Sequence, residues 1–151
     1  MDGQKKMEAY MEKTIQEIRV DQAEIVNGMM HAEYLGCSFE DKSVKFLFPV
    51  LPWQANRVGM MHGGAMCTAF DLSMAALARF VANSNFTPTI SLEVKYIRPV
   101  QMGDRLVVTT RATTAGRRIS QFVSEAVIES TGKLAATATS VYMNIDITKE
   151  R

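Results

Sequence analysis

Hydrophobic residues near the N-terminus recur at intervals of three and four. Within residues 4–27 they are Met7, Met11, Ile15 and Ile18, with charged residues between them. This spacing places the four side chains on one face of an amphipathic helix. We therefore expect a helix over residues 4–27, followed by a second short helical or irregular piece.

From Tyr34 onward the pattern changes to an alternation with a period of two. The stretches "YLGCSFE" and "SVKFLFPV" lie on either side of Asp41 and Lys42. Such a pattern predicts a β-hairpin that turns at those two residues. Pro49 and Pro52 should then end the pairing, because proline has no amide hydrogen to donate. The long loop that follows is of the kind that often carries function in a compact domain.

Residues 64–82 form the most apolar segment of the chain. They are rich in Ala, Met and Leu and contain no Pro, which favours a helix of about five turns. Because the segment is apolar nearly all round, it predicts a buried central helix. Asp71 and Arg79 interrupt it, so we do not expect it to cross a membrane.

The remaining sequence predicts four strands. In "TISLEVKYI" the alternation places Ile90, Leu92, Val94 and Tyr96 on one face and Thr89 on the other. Three further strand-like runs, "RLVVTTRATT", "RISQFVSEAVIE" and "LAATATSVYMNI", follow with short turns between them. Strands connected in this way form an antiparallel meander.

This order of elements predicts the fold class. A helix, a hairpin, a long buried helix and four strands indicate an α+β domain in which the sheet wraps around the central helix. We place an N-terminal helical extension at residues 1–33 and the domain itself at residues 34–147. Such a sheet leaves an open edge and a half-covered face, which favour pairing with a second copy.

Composition narrows the possible partners and cofactors. The 151 residues carry a net charge of +1, so neither nucleic acid nor an anionic membrane is an expected partner. The two cysteines, Cys37 and Cys67, lack metal-ligand spacing, and only two histidines accompany them. We therefore expect no metal site. The sequence also has no phosphate loop and no dinucleotide fingerprint, so we expect no cofactor. With no apolar signal core near the N-terminus, a reduced cytoplasmic location is the simplest expectation.

The candidate chemistry lies in "NRVGMMHGGAMCTAFD", residues 56–71. Gly63 and Gly64 stand where the central helix begins, and the first turn of a helix has free amide hydrogens and a partial positive charge. This arrangement could hold an oxyanion. The alternative is that the two glycines only allow a tight junction between loop and helix.

Asp71 is the only acidic residue between Lys42 and Leu92, and apolar residues surround it. Burying an unpaired carboxylate costs several kcal/mol, so we consider a general base or a nucleophile. The alternatives are an ion pair with Arg57 or Arg79, or a solvent-facing position on the helix. Another candidate is a nucleophilic Cys67 assisted by His62, although buried cysteines mostly serve packing.

These residues resemble a known signature. Asn56-x-x-Gly59-x-x-His62-Gly63-Gly64, followed by Asp71, resembles that of the hotdog-fold acyl-CoA thioesterases of the phenylacetate-pathway (PaaI-like) type. The later stretch "TISLEVKYIRPVQMGDRLVV" resembles the same family, and the likeness covers roughly residues 34–145. It implies a long helix wrapped by a curved antiparallel sheet. It also implies a homodimer, often paired into a tetramer, with active sites at the dimer interface that hydrolyse acyl-CoA to a free acid and CoA without a metal.

The resemblance also assigns roles to residues of the chain. It implies that Asp71 activates water or attacks the thioester carbon, and that the amide of Gly63 holds the thioester oxygen. Asn56 then orients the water or the thioester, His62 supports the loop through hydrogen bonds, and the hydroxyl of Thr89 helps to position the water. In this family Asp71 and Thr89 come from the partner chain.

Substrate contacts are expected from Gly64 and from Met61, one of several methionines suited to an adaptable acyl pocket. Arg98, Arg117 and Arg118 could contact the phosphates of CoA, or they could be solvated turn residues. Two other functions stay open at this point. One is a non-catalytic acyl-CoA-binding protein with the same fold, and the other is a hotdog hydratase or dehydratase.

Overall fold

The computed structural model describes residues 2–145, so the predicted domain end at residue 147 lies outside the described residues. The helices are α1 (Gly3–Asp21), α2 (Val26–Met29) and α3 (Gly63–Ala82), and a short 3-10 turn spans Pro52–Gln54. The strands are β1 (Glu33–Ser38), β2 (Ser43–Pro49), β3 (Thr89–Tyr96), β4 (Arg105–Ala115), β5 (Ile119–Ile128) and β6 (Leu134–Met143).

The six strands form one antiparallel sheet in the order β1-β2-β4-β5-β6-β3. The hairpin (β1 and β2) and the meander (β4 to β6) are confirmed, although the hairpin turn spans residues 39–42 and not only Asp41 and Lys42. Strand β2 joins the two by pairing with β4. Helix α3 packs across one face of this sheet. The α+β class and the hotdog architecture, a long central helix with a sheet wrapped around it, are therefore confirmed.

Helix α3 is the centre of the core. Its buried side chains are mostly small or flexible, and they allow the helix to lie close to the sheet. Asn83 ends the helix in the left-handed conformation (φ 49°), which asparagine tolerates better than most residues. By length and hydropathy alone α3 could cross a membrane, as many core helices could. More than half of its most apolar 18-residue stretch is buried within the domain.

The N-terminal helix is shorter than the predicted span of residues 4–27. The predicted apolar face, Met7 to Ile18, is buried against the domain, but α1 ends at Asp21. The chain then folds back so tightly that a Cβ on Gly28 would lie 1.9 Å from the carbonyl oxygen of Gln22. The turn is closed by the Ile25 amide, which donates to the Gln22 carbonyl at 3.1 Å, and it places α2 against α1.

Strand β3 departs from the predicted alternation at its first residues. A register shift between Thr89 and Ser91 places Ile90 in a β-bulge. The extra residue reverses which face the preceding side chain points to. As a result Thr89, not Ile90, shares the α3 side of the sheet with Leu92 and Val94, and Ile90 is exposed. The prediction for Ile90 and Thr89 was therefore wrong.

Strand β3 also forms one open edge of the sheet. Large apolar side chains remain exposed on this strand and just after it, at Ile90, Tyr96 and Ile97. An exposed edge strand with apolar side chains favours pairing with another chain.

Candidate active site

The loop before α3 is organised by Asn56. Its side-chain oxygen Oδ1 accepts hydrogen bonds of 3.0 Å from the backbone amides of both Val58 and Met60. Gly59 completes the turn with φ 78°, a conformation that favours glycine. Because both bonds use Oδ1, the Nδ2 amino group of Asn56 has no hydrogen-bond partner among residues 2–145. That donor is free for a ligand.

His62 caps α3 and leaves one amide open. Its Nδ1 accepts from the Gly64 amide at 2.8 Å, and its carbonyl accepts from the amides of Ala65 and Met66. Within the described chain, the Gly63 N–H is the one amide of this first turn without a partner. The end of a helix concentrates partial positive charge, so this N–H is an available oxyanion donor.

A cavity of about 540 Å³ lies in front of this amide. We call its lining residues and His62 the glycine half-site. The cavity is lined by Asn56, Met60, Met61, Gly63, Gly64, Met66, Tyr96, Ile97, Arg98, Pro99 and Val100. The structure thus brings together five predicted site residues on this cavity: Asn56, Met61, Gly63, Gly64 and Arg98. A larger cavity, of about 830 Å³, contains none of the predicted site residues.

Tyr96 lies directly against Gly63. Its hydroxyl donates to the Gly63 carbonyl at 2.8 Å, and a Cβ on Gly63 would lie 3.2 Å from that hydroxyl. Cys67 contacts the same hydroxyl at 3.0 Å. Burial and the contact with Cys67 raise the pKa of Tyr96 to about 12, so the phenol keeps its proton. Cys67 is therefore engaged with Tyr96, while His62 Nδ1 is engaged with Gly64.

The second group of site residues surrounds Asp71. Thr89 donates to Asp71 Oδ1 at 2.8 Å, and Tyr142 donates to the same oxygen at 2.6 Å. We call these three residues the aspartate half-site. Asp71 forms no ion pair among residues 2–145, so the alternative of a salt bridge to Arg57 or Arg79 is not realised in the described chain. Two hydroxyls compensate the partly buried carboxylate instead.

Tyr142 is the site residue that the sequence reasoning missed. It is fully buried, and burial, followed by the hydrogen bond to Asp71, raises its pKa well above the ordinary value for tyrosine. The phenol therefore remains a donor at neutral pH. One signal in the sequence could have indicated it, because Tyr142 shares the inward face of β6 with the small residues Ala136, Ala138 and Ser140.

The two half-sites do not meet within one chain. Asp71 lies eight residues after Gly63 along α3, which corresponds to about 12 Å at the usual helical rise. The cavity of the glycine half-site does not include Asp71, Thr89 or Tyr142. A group bound to the Gly63 amide is therefore out of reach of the carboxylate of the same chain.

The three predicted arginines occupy two places. The Arg98 guanidinium donates to the Leu134 carbonyl at 2.8 Å and borders the cavity of the glycine half-site. Arg117 and Arg118 are exposed in the β4–β5 turn and do not border it. That turn lies at the aspartate end of the sheet, because Ser120 pairs with Tyr142.

Comparison with known proteins identifies the family. The family model described as "Thioesterase superfamily" matches residues 58–135. This match spans half of the chain and includes the start of α3, Asp71 and strands β3 to β5. The chain belongs to the thioesterase superfamily, and the resemblance to the PaaI-like hotdog thioesterases is confirmed.

Individual proteins are similar to this chain in sequence or in fold. A Caenorhabditis elegans protein named "Putative esterase" is 27% identical over 137 residues, which cover 85% of this chain and 81% of that protein. A phenylacetic acid degradation-related protein from Ralstonia eutropha superposes with a TM-score of 0.73 and 25% identity, covering 86% of this chain and 98% of its own. A Streptococcus mutans protein bound to acetyl-CoA superposes with a TM-score of 0.68 at 18% identity. The match covers 76% of this chain and 88% of that protein.

Proposed function

We propose that the protein is an acyl-CoA thioesterase that hydrolyses an acyl- or aryl-acyl-CoA to a free acid and CoA. The observation that carries this proposal is the pair of half-sites on α3, one with an unused helix N-terminal amide and the other with a carboxylate held by two hydroxyls. Membership of the thioesterase superfamily supports it, as does the fold shared with a protein that binds acetyl-CoA.

The active site is assembled from two chains in this proposal. A carboxylate about 12 Å from Gly63 cannot serve a thioester bound there, whereas a second copy could bring its aspartate half-site to this cavity. The open β3 edge with its exposed apolar side chains supports such pairing. We propose a homodimer with two shared sites, and a tetramer formed from two such dimers.

Hydrolysis then proceeds with the following division of roles. The Gly63 N–H donates to the thioester oxygen and stabilises the negative charge that develops on it. Asp71 of the other chain takes a proton from water as the water oxygen bonds to the acyl carbon. When the C–S bond breaks, the CoA thiolate leaves and takes up that proton, so acid and CoA are the products.

A nucleophilic route uses the same groups. Asp71 attacks the acyl carbon, CoA leaves as the thiolate, and water hydrolyses the resulting anhydride. In both routes the free Nδ2 group of Asn56 orients the water or the thioester. His62 holds the first turn of α3 so that the Gly63 amide stays open, and Thr89 acts through the Asp71 carboxylate to which it donates.

Substrate binding is assigned to the cavity and to the basic turns. Met60, Met61 and Met66 are among the residues that line the cavity, and methionine adapts to acyl groups of different shape. Gly64 lies beside the thioester. We place Arg98 near the pantetheine arm, and Arg117 and Arg118 of the other chain near the phosphates of the nucleotide.

The proposal is tested with a panel of short, medium, long and aryl acyl-CoAs, with free CoA measured by a thiol reagent. We expect release of CoA from at least one class at a rate well above that of buffer. Saturable binding of acyl-CoA without release would indicate the non-catalytic binder instead. Hydration of an enoyl-CoA without CoA release would indicate the hydratase.

A substitution at Asn56 separates its role as an acceptor within the loop from its proposed role as a donor to the substrate or water. Asn56→Asp keeps Oδ1 as the acceptor for Val58 and Met60 but replaces the free Nδ2 donor with an oxygen. We expect kcat to fall by about a hundredfold, the usual effect of removing one such donor, while the melting temperature changes little. Asn56→Ala, which loses both functions, should lower stability as well. Unchanged turnover by Asn56→Asp would exclude a role for the amide donor.

A further inference from the structure

We infer that Tyr142 is a positioning residue that, with Thr89, fixes one oxygen of Asp71 and leaves the other oxygen, Oδ2, to carry out the chemistry. This inference rests on the proposed function, because it specifies which atom of the aspartate half-site acts on the thioester. It also adds to the site a residue that neither the motif nor the family resemblance indicated.

The contacts around Asp71 are asymmetric. The Tyr142 hydroxyl lies 2.6 Å from Oδ1 and 3.1 Å from the backbone carbonyl of Asp71, and the Thr89 hydroxyl lies 2.8 Å from Oδ1. Oδ2 receives no hydrogen bond from any residue between 2 and 145. Hydrogen bonds to an ionised carboxylate are short and strong. The carboxylate is therefore held through one oxygen only.

The two donors reach the carboxylate because of the sheet register. Thr89 and Tyr142 are paired residues on the adjacent strands β3 and β6, so their side chains lie next to each other on the same face. The bulge at Ile90 is what turns Thr89 to that face. A regular β3 would have directed the Thr89 hydroxyl away from α3 and left Asp71 with one donor.

The tyrosine is itself held rigidly. Its ring is fully buried and packs edge-on against Phe122, with the ring centroids 5.6 Å apart at 86°. A second contact from the same hydroxyl to the Asp71 backbone links β6 to α3. Because these contacts hold the Tyr142 hydroxyl in place, rotation of the Asp71 carboxylate is restricted and Oδ2 keeps one direction. Such fixed placement of a reacting atom lowers the entropy lost in the transition state.

The accessibility of Asp71 fits this division between its oxygens. The residue as a whole is only partly buried, whereas Tyr142 is fully buried behind it. Oδ1 is directed toward the sheet and its hydroxyls, so Oδ2 is the oxygen available to a ligand. In the general-base route Oδ2 takes the proton from water, and in the nucleophilic route Oδ2 bonds to the acyl carbon. Oδ1 stays bonded to the two hydroxyls in either route.

The kinetic test is Tyr142→Phe, which keeps the buried ring and its contact with Phe122 but removes the donor. For the substrate that the wild type hydrolyses best, we expect kcat to fall by about tenfold to a hundredfold. KM should change less than about twofold, because the hydroxyl does not contact substrate. The matched control is Tyr34→Phe, whose hydroxyl contacts Cys37 and whose loss should leave kcat unchanged.

Two further measurements separate positioning from packing. In an Asp71→Asn background, Tyr142→Phe should cause no further decrease in kcat, because the hydroxyl acts only through the Asp71 carboxylate. In proton NMR spectra, the hydroxyl of Tyr142 should give a downfield, slowly exchanging resonance. This signal should disappear in Tyr142→Phe and shift in Asp71→Asn.

The outcomes distinguish this inference from the proposed function. If the wild type released CoA and Tyr142→Phe kept its full kcat, the inference would be overturned and the function would stand. A missing hydroxyl resonance, or one that does not respond to Asp71→Asn, would overturn the inference without reference to activity. A wild type that hydrolyses no thioester would contradict the proposed function and, with it, the catalytic role of Oδ2. The NMR measurement would still decide whether the Tyr142 hydroxyl donates to Asp71 Oδ1.

Discussion

Asp71→Asn is expected to lower kcat for acyl-CoA hydrolysis by between about a hundredfold and about ten-thousandfold, the range found for a general base. The amide has nearly the size of the carboxylate, and its oxygen can still accept hydrogen bonds from Thr89 and Tyr142. What it loses is an oxygen at the Oδ2 position that can take a proton or attack a carbonyl carbon. The substitution therefore removes the chemistry and keeps the fold.

This prediction is checked by steady-state release of CoA together with thermal unfolding. We expect KM for acyl-CoA to change little, because the glycine half-site is intact, and the melting temperature to stay close to that of the wild type. Asp41→Asn is the matched control, since Asp41 lies in the exposed β1–β2 turn and accepts a hydrogen bond from Ser38. Full activity in Asp71→Asn would remove Asp71 from any catalytic role.

Long periodic patterns made most of the fold predictable from the sequence. Helix α3 has an uninterrupted apolar composition, and the β4–β6 meander has regular alternation with short turns. Both signals are local, so neighbouring residues carry the information. The end of α1 is different, because the contact between Gly28 and the Gln22 carbonyl arises only when the chain folds back. The spacing of hydrophobic residues within residues 4–27 does not indicate that contact.

Only some residues of the candidate site could likewise be predicted from local sequence. Asp71 could be selected from the sequence because it is a single acid in an apolar segment, and Gly63 because it belongs to a glycine pair where the helix begins. Thr89 was placed on the wrong face because the bulge at Ile90 depends on pairing with β6. Tyr142 was missed because its hydroxyl partner lies 71 residues away.

The second prediction with a large effect on activity concerns how the two half-sites are combined. Asn56→Asp disables the glycine half-site of a chain, and Asp71→Asn disables its aspartate half-site. If each active site takes one half-site from each chain, a dimer of the two variants has one intact site and one site with both defects. Among dimers formed at random from equal amounts, half are mixed, so about a quarter of wild-type activity should return.

The central claim is that this fold hydrolyses thioesters at sites shared between two chains, and subunit complementation tests it most directly. The two variants are produced separately and together in the same cells, and CoA release is measured for each preparation. We predict nearly inactive separate variants and about a quarter of wild-type turnover from the co-produced protein. Co-produced protein that contains verified mixed dimers but stays as inactive as the separate variants would contradict the shared site.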